Sequence, residues 1–327
     1  MELRKIKMNN VLILSAGRRV ELVQAFQREI AVRGLDAKVF AVDLDPQYAA
    51  ACHVADAYFN APRVTDPSYI SFLIRSCLER SISLVIPTID TELLALSESR
   101  ALFEREGIHV VISEPGLIQS CRDKRLTGKL FKSVDVDTPA IFERDRIDFP
   151  CFAKPYDGSR SIGARVIESA EALTQIVLDD QKLIFMELVD RKAQEYTVDI
   201  YYNRKGELSG LVPRQRIEVR DGEISKGITR RNAVYDYLLP RMQSLKGARG
   251  CLALQLFFDE HKMNFFAIEI NPRFGGGFPL SFSAGANYPG WLIDEYILGK
   301  DITFFDGWES DLMMLRYDAK ILVRGTH

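Results

Sequence analysis

Short apolar runs alternate with amphipathic segments through the first third of the chain, and this alternation constrains the fold more than any other feature. Residues 11–15 are an apolar run that stops at Gly17, and residues 18–33 then carry apolar side chains at helical spacing. The same order recurs in strand-like runs at 38–42, 84–86 and 109–112 and in helical segments at about 68–80 and 92–105. Strands that alternate with helices of this length predict an α/β domain with a parallel sheet.

The carboxyl ends of these strands are where a parallel sheet binds its ligands. The first end reads Ser-Ala-Gly-Arg-Arg over residues 15–19, with one glycine where a dinucleotide-binding GxGxxG turn needs three. A nicotinamide dinucleotide site is therefore disfavoured, and the turn is either structural or one wall of another site. Arg18 and Arg19 are either contacts for an anionic substrate or solvated side chains that open a helix.

Composition narrows the classes of partner. The chain has 327 residues, which suits two or three domains, and 43 Lys and Arg against 45 Asp and Glu leave a net charge of -2. This balance predicts neither a nucleic-acid partner nor a membrane partner. The five cysteines are widely spaced with no CxxC pair, and no run approaches about 18 apolar residues. We therefore expect a cytoplasmic protein without structural zinc or disulfides.

Beyond residue 113 most segments are extended and separated by turns, which predicts a distinct α+β region. Helical patterns interrupt it at about 123–131, 170–178, 235–246 and 291–298. Within this region Lys154 ends a strand, and a Gly- and Ser-rich turn follows it up to Gly163. The backbone N–H groups of such a turn, beside a fixed ammonium group, can hold polyphosphate oxygens. The alternative is a plain hairpin turn.

A second feature is a polar pattern on two strands, 252–259 and 265–270. Side chains alternate across a strand, so Glu269 and Asn271 share one face. A hairpin that pairs the two strands would place Gln255 beside them. Mg²⁺ prefers a few hard oxygen ligands with room for water and phosphate oxygens, so the pattern favours a metal site over a solvent-facing polar stripe.

A third feature is an apolar strand, 184–189, that contains Glu187 and is followed by an irregular link and then Glu195. Such a link can offer backbone donors and acceptors to an adenine edge, and Glu195 can accept hydrogen bonds from ribose hydroxyls. Taken alone, either glutamate is more often a solvated strand end.

In this order, the three features resemble the ATP-grasp superfamily, and in particular its single-chain ligases that are similar to carbamoyl-phosphate synthase. The resemblance implies a fold of α/β plus α+β type. Residues 1–113 would form a Rossmann-like parallel-sheet domain, the pre-ATP-grasp domain. A two-lobed ATP-grasp fold would follow, with a small lobe and its phosphate lid at 114–188 and a large lobe with the metal site at 189–327.

The same resemblance implies an ADP-producing ligase that needs ATP and Mg²⁺, with Mn²⁺ able to substitute. Its partners would be a small-molecule carboxylate and an amine, joined as an amide through an acyl phosphate, and a homodimer is compatible with the family. Two alternatives stay open. One is a nucleotide-binding regulatory protein without turnover, and the other is a small-molecule kinase on the same fold.

Roles carry over from the family position by position. The phosphates would be held by Lys124 and Lys154, beneath a lid that includes Asp157, Gly158, Ser159, Ser161 and Gly163. The adenine hinge would be Glu187, Leu188 and Val189, with Glu195 on the ribose. One or two Mg²⁺ would bind Gln255, Glu269 and Asn271, and Arg273 would be the catalytic residue that faces the transferred phosphoryl group. Substrate contacts would come from Arg18, Asp90, Arg214, Arg230 and Gly276. Arg214 and Arg230 belong to a basic stretch that also holds Arg216.

Overall fold

Three β-sheets organise the part of the chain that the structure describes. The computed structural model describes residues 9–158, 162–190, 192–220 and 222–325. The first sheet comprises β1 (Asn10–Ile13), β2 (Val39–Asp43), β3 (Ala57–Asn60), β4 (Ile82–Ile86) and β5 (His109–Val110). Its order is β3-β2-β1-β4-β5, and every pairing is parallel, which confirms the predicted parallel-sheet domain.

The strands of the first sheet are apolar because both faces are covered. Val11, Leu12 and Ile13 point alternately to the two faces of β1, and all three are fully buried. The covering helices are α1 (Val20–Val32), α2 (Tyr69–Glu79), α3 (Asp90–Glu98) and α4 (Arg100–Arg105). The single helix expected over 92–105 is wrong in detail, because the helix starts at Asp90 and breaks at Ser99, where ψ is 0°.

Two helices lead out of the first sheet, α5 (Pro115–Arg122) and α6 (Lys124–Ser133). The carboxylate of Asp123 accepts the Arg125 N–H at 2.9 Å and so caps the start of α6. This cap sets the position of Lys124 at the first turn of the helix.

The second sheet is small and antiparallel, with the order β6-β9-β7-β8. Its elements are β6 (Ile141–Phe142), β7 (Cys151–Pro155), β8 (Arg165–Ile167), α7 (Gln175–Asp179) and β9 (Leu183–Glu187). A compact cluster that includes Cys151, Ala153 and Phe185 forms its core. The helix expected over 170–178 is instead a 3₁₀ turn, Ala170–Ala172, followed by the short α7.

The third sheet is antiparallel, in the order β14-β13-β10-β11-β12-β15. Its strands are β10 (Gln194–Tyr202), β11 (Leu208–Arg220), β12 (Glu223–Thr229), β13 (Gly250–Asp259), β14 (Asn264–Asn271) and β15 (Met313–Leu315). The remaining helices are α8 (Ala233–Arg241), α9 (Phe278–Ser283) and α10 (Tyr288–Leu292), the last of which continues as a π-helical turn, Ile293–Ile297. The helices expected over 235–246 and 291–298 therefore both start earlier than predicted. The strands β3, β6, β12 and β15 were not predicted.

The first and third sheets share one hydrophobic core, which runs from Val11 and Phe26 to Leu254. A bidentate ion pair joins them as well, because Arg33 of α1 contacts Asp294 at 3.1 and 2.5 Å. The predicted domain boundaries near residues 113 and 188 stay predictions. No helix in the described ranges is both long and apolar enough to cross a membrane, and all five cysteines are free thiols.

Candidate functional site

One face of the third sheet carries a row of polar side chains. Gln255 pairs directly with Glu269 across β13 and β14, so the two side chains share a face, as the hairpin interpretation expects. Asn271, two residues further along β14, donates from its side-chain amide to Glu269 Oε1 at 2.9 Å. The opposite face is apolar, since Leu254 is fully buried in the core. The polar row therefore faces the space between the second and third sheets.

Two lysines meet this row from the other side. Lys154 lies on β7 and is only 8% exposed. Its pKa is lowered to about 8, mainly by burial and also by the neighbouring ammonium of Lys124, while Glu269 opposes both. Lys124 donates to the carbonyl oxygen of Gly158. Two ammonium groups held side by side with one carboxylate opposite form a strong site for an anion.

The turn after β7 is described in part. Gly158 and Gly163 both lie over Pro155, because a Cβ on either would come within 3.2 Å of that ring. Gly163 has a φ of 76°, a left-handed conformation that favours glycine. Asp157 makes an ion pair with Lys182 at 3.4 Å. Ser159 and Ser161, the other two residues of the predicted lid, lie outside the described residues.

A cavity of about 560 Å³ opens where β9 ends. The three predicted hinge residues, Glu187, Leu188 and Val189, all line it, and Phe266 of β14 lines it from the third sheet. The Glu187 carboxylate accepts the backbone N–H of Ala140 at 3.2 Å, which ties the start of the hinge to the segment before β6. The cavity has the position and the size for an adenine ring.

Glu195, near the start of β10, is paired with Arg216. The distance from Glu195 Oε1 to Arg216 Nη1 is 2.6 Å, and the same nitrogen lies 3.4 Å from Gln255 Oε1. Burial raises the pKa of the Glu195 carboxyl, Arg216 lowers it, and Glu269 raises it. From the sequence alone, Arg216 is recognisable only as part of a basic stretch and not as a partner of Glu195. The pairing of β10 with β11, which sequence alone does not give, brings it into the site.

Two of the predicted substrate contacts, Arg214 and Arg230, are paired within the protein. Arg214 is 1% exposed and donates to both carboxylate oxygens of Asp199 at 2.8 Å, so it is enclosed beneath the glycine loop 275–277. Arg230 lies on the other face of the sheet, where it contacts Gln215 at 3.2 Å and pairs with Asp311. Both guanidinium groups therefore already have a partner in the protein, and their roles as substrate contacts stay predictions.

Arg273 follows the polar row and connects it to the first sheet. Its guanidinium makes two contacts with Asp90 at the start of α3, Nε to Oδ1 at 2.9 Å and Nη2 to Oδ2 at 2.6 Å. It also donates to Asn271 Oδ1 at 3.4 Å. The predicted catalytic arginine and one predicted substrate residue are thus direct partners.

A second cavity, of about 250 Å³, lies between the strand ends of the first sheet and the glycine loop. Arg18 and Gly276, two predicted substrate residues, line it. Arg19, Glu223 and Arg316 line it too. Sequence analysis does not identify Glu223 or Arg316 as site residues. Glu223 lies on β12 and Arg316 in the C-terminal segment, both far in sequence from the strand ends of the first sheet.

No group of three or more His, Cys, Asp and Glu able to hold a metal occurs within the ranges that the structure describes. The predicted metal ligands agree with this, since they comprise one carboxylate, Glu269, and two amides, Gln255 and Asn271. Such a set is completed by ligands from outside the protein, such as phosphate oxygens and water.

Two family models match the chain. The model described as PylC-like, N-terminal domain, matches residues 11–111, and the model described as ATP-grasp in the biosynthetic pathway with Ter operon matches residues 179–310. Residues 179–310 of the chain belong to the ATP-grasp superfamily. This ATP-grasp protein has no match among curated proteins in a sequence comparison.

Solved structures with the same fold cover most of the ATP-grasp chain. The biotin carboxylase domain of Hydrogenobacter thermophilus 2-oxoglutarate carboxylase, solved as a dimer with MgADP, ADP and bicarbonate, aligns with a TM-score of 0.72 and 16% identity over 93% of this chain and 73% of its own. N5-carboxyaminoimidazole synthetase from Staphylococcus aureus, solved with ADP, aligns with a TM-score of 0.70 and 13% identity over 90% of this chain and 79% of its own. These likenesses confirm the predicted fold class.

Proposed function

We propose that this ATP-grasp protein is an ATP- and Mg²⁺-dependent ligase that joins a small-molecule carboxylate to an amine and releases ADP. One observation carries the proposal. Lys124 and Lys154 face the polar row of the third sheet, and that row continues into Arg273 beside the strand ends of the first sheet. Sites for a polyphosphate, a metal and a third, substrate-sized group therefore adjoin one another.

The two ends of the cleft suit the two ends of ATP. The hinge cavity beyond β9 would take the adenine, with Glu195 at the ribose, and the two lysines would hold the phosphates. The buried ammonium of Lys154 is the strongest sign, because burial beside a second cation is unfavourable until an anion binds. The relative from S. aureus was solved with ADP and the relative from H. thermophilus with MgADP, which supports the assignment.

Mg²⁺ fits the oxygen donors of Gln255, Glu269 and Asn271. Asn271 uses its N–H to bind Glu269, which leaves its Oδ1 to face the cleft near Arg273. When bound, Mg²⁺ or Mn²⁺ would neutralise charge on the phosphate oxygens and orient them. The single carboxylate favours one strongly held ion, with a second ion held more weakly.

The chain's own residues would then act as follows. Lys124 and Lys154 would hold the nucleotide phosphates while a substrate carboxylate oxygen attacks the terminal phosphorus and ADP leaves. Arg273, fixed by Asp90, would stabilise the charge on the transferred phosphoryl group. The amine would next attack the acyl carbon, forming the amide and releasing phosphate. The turn after β7 would keep water from the acyl phosphate during the interval between the two steps.

An ADP-release screen tests the proposal. Pooled carboxylates would be supplied with pooled amines, and the wild type compared with Glu269→Ala. We expect ADP and free phosphate in equal amounts, only when both pools are present, and none from the variant. ADP without free phosphate would support the kinase alternative, and nucleotide binding without ADP from any pool would support the regulatory alternative.

Two further predictions about the whole protein stay proposals. The dimer described for the relative from H. thermophilus supports a homodimer, which sedimentation would test. Five free cysteines, four of them buried, support a reducing compartment such as the cytoplasm.

A further inference from the structure

The cavity between the first sheet and the glycine loop is lined by Arg19, whose guanidinium has no direct partner among the described residues. We propose that it binds a second anionic group of the carboxylate substrate, with Arg19 as the main contact, so that the substrate is a dicarboxylic acid or a phosphorylated carboxylic acid. This inference rests on the proposed ligase function and adds to it the chemical class of the acid.

Arg19 is the residue that carries the inference. It lies at the start of α1 and lines the cavity. Its guanidinium makes no hydrogen bond and no ion pair with any residue that the structure describes. Its pKa is lowered to about 10, mainly by burial and also by Arg273, while Glu223 and Asp90 raise it. A guanidinium that is largely withdrawn from water and lacks a partner is stabilised when an anion binds it.

The acidic groups near Arg19 are already engaged. Glu223 contacts Arg316 at 3.1 Å and lies 4.0 Å from Arg18. Burial alone would raise the pKa of Glu223, but these arginines together with Arg19 hold it below its usual value. Asp90 is bound by both arms of Arg273.

The remaining acid of the wall, Glu21, is exposed to solvent. Glu223 and Asp90 attract the charge of Arg19 through space, but neither they nor Glu21 makes a hydrogen bond or an ion pair with its guanidinium.

The glycine loop fixes the size of the cavity. A Cβ on Gly276 would lie 2.9 Å from the Glu223 carboxylate, so this loop can rest directly on Glu223 only because the residue is glycine. The cavity measures about 250 Å³, below the range of about 300–1,000 Å³ typical of drug-sized ligands. It has room for a small organic acid.

The position of the cavity links it to the reaction. Arg19 is close enough to Arg273 for the two charges to affect each other. A small acid that places its reacting carboxylate at Arg273 would therefore bring a second anionic group to Arg19. An acid with one carboxylate and an apolar tail would leave the Arg19 charge without a partner.

Calorimetric titration in saturating Mg-ADP tests this inference. The probes are straight-chain dicarboxylates from malonate to adipate, the phosphorylated acids phosphoglycolate and 3-phosphoglycerate, and the monocarboxylates propionate to hexanoate. The variants are Arg19→Gln, Arg19→Lys and a control, Arg28→Gln, which changes an exposed arginine on the same helix. We expect at least one dianion to bind more tightly than every monocarboxylate. Arg19→Gln should weaken it about tenfold or more, Arg19→Lys less, and Arg28→Gln not at all.

Each outcome has a defined meaning. Tightest binding by a phosphorylated acid identifies a phosphate as the second anion, and tightest binding by a dicarboxylate identifies a carboxylate. Equal binding of dianions and monocarboxylates, or no binding of any dianion, overturns the inference, as does a dianion affinity unchanged in Arg19→Gln and Arg19→Lys. The proposed ligase function fails separately, if Mg-ATP does not raise the melting temperature of the wild type.

Discussion

The guanidinium of Arg273 is held by the carboxylate of Asp90 through two contacts, at 2.9 and 2.6 Å. Asp90 belongs to the first sheet's domain and Arg273 to the strand end of the third sheet. The orientation of the proposed catalytic arginine is therefore set from outside the nucleotide cleft. Ile89, next to Asp90 in the chain, lines the cavity where we place the acid substrate.

Substitution Asp90→Asn would release one side of this contact. We expect Mg-ATP to raise the melting temperature as in the wild type, because the lysines and the hinge are untouched. ADP formation with the active substrate pool should fall about a hundredfold, since a misplaced catalytic group loses much of its effect. Steady-state rates for Asp90→Asn and for the control Asp36→Asn, an exposed residue, measure this. A wild-type rate in Asp90→Asn would show that Asp90 does not position Arg273.

Lys154→Met should abolish the rise in melting temperature caused by Mg-ATP, because the variant loses the buried ammonium that holds the phosphates. The matched control is Lys129→Met, an exposed residue of α6. Thermal unfolding with and without Mg-ATP measures the effect. An undiminished shift in Lys154→Met would place the phosphates elsewhere.

The pH dependence of stability gives an independent check on Lys154. Its pKa is about 8 in the folded chain against an ordinary value of 10.5, so the unfolded chain binds the extra proton between these two values. Lys154 should therefore contribute a rise in the free energy of unfolding from pH 8 towards 10.5, so that this free energy changes more favourably with pH in Lys129→Met than in Lys154→Met. Denaturant unfolding of both variants across this range measures the difference. Parallel curves would mean that the Lys154 pKa is close to its ordinary value.

Glu269→Gln removes the carboxylate of the proposed metal site at almost constant volume. ADP formation should fall about a hundredfold or more, because the remaining ligands are neutral amides. Titration with Mn²⁺ in the presence of a non-hydrolysable ATP analogue should also show weaker metal binding than in Glu98→Gln, an exposed control. Metal affinity equal to that of the control would remove Glu269 from the site.

Gly277→Ala tests the support of the glycine loop. A Cβ at this position would lie 2.2 Å from Arg214 Nη1, and Arg214 cannot yield because Asp199 holds it at two points. The free energy of unfolding should fall by about 1–3 kcal/mol. Gly116→Ala, where nothing lies within 4 Å, should leave stability within about 1 kcal/mol of the wild type. Equal stability of the two variants would mean that the loop has room to move.

Patterns within short stretches of sequence predict those parts of the fold and of the site whose residues are close together along the chain. The βα alternation of the first third predicts the parallel sheet, because strand and helix periodicities are both visible within a few residues. The pairing of Gln255 with Glu269 follows from side-chain alternation on two strands joined by a short turn. In each case the residues that meet are close in sequence or follow one repeating period.

Contacts between distant segments could not be predicted in this way. The burial of Arg214 depends on Asp199, and the register between β10 and β11 has no signal in composition or periodicity. Glu223 and Arg316 meet Arg19 because the third sheet packs on the first. For the same reason, Arg214 and Arg230 looked like equal candidates for a substrate contact, although one is enclosed and the other lies on the far face.

Calorimetric titration of the wild type with ATP, in the presence and absence of Mg²⁺, tests the central claim most directly. We expect one ATP bound per chain, much tighter with Mg²⁺ than without, and no comparable binding by Lys154→Met. Absence of binding to the wild type at millimolar Mg-ATP, or binding that is the same in Lys154→Met, would contradict it.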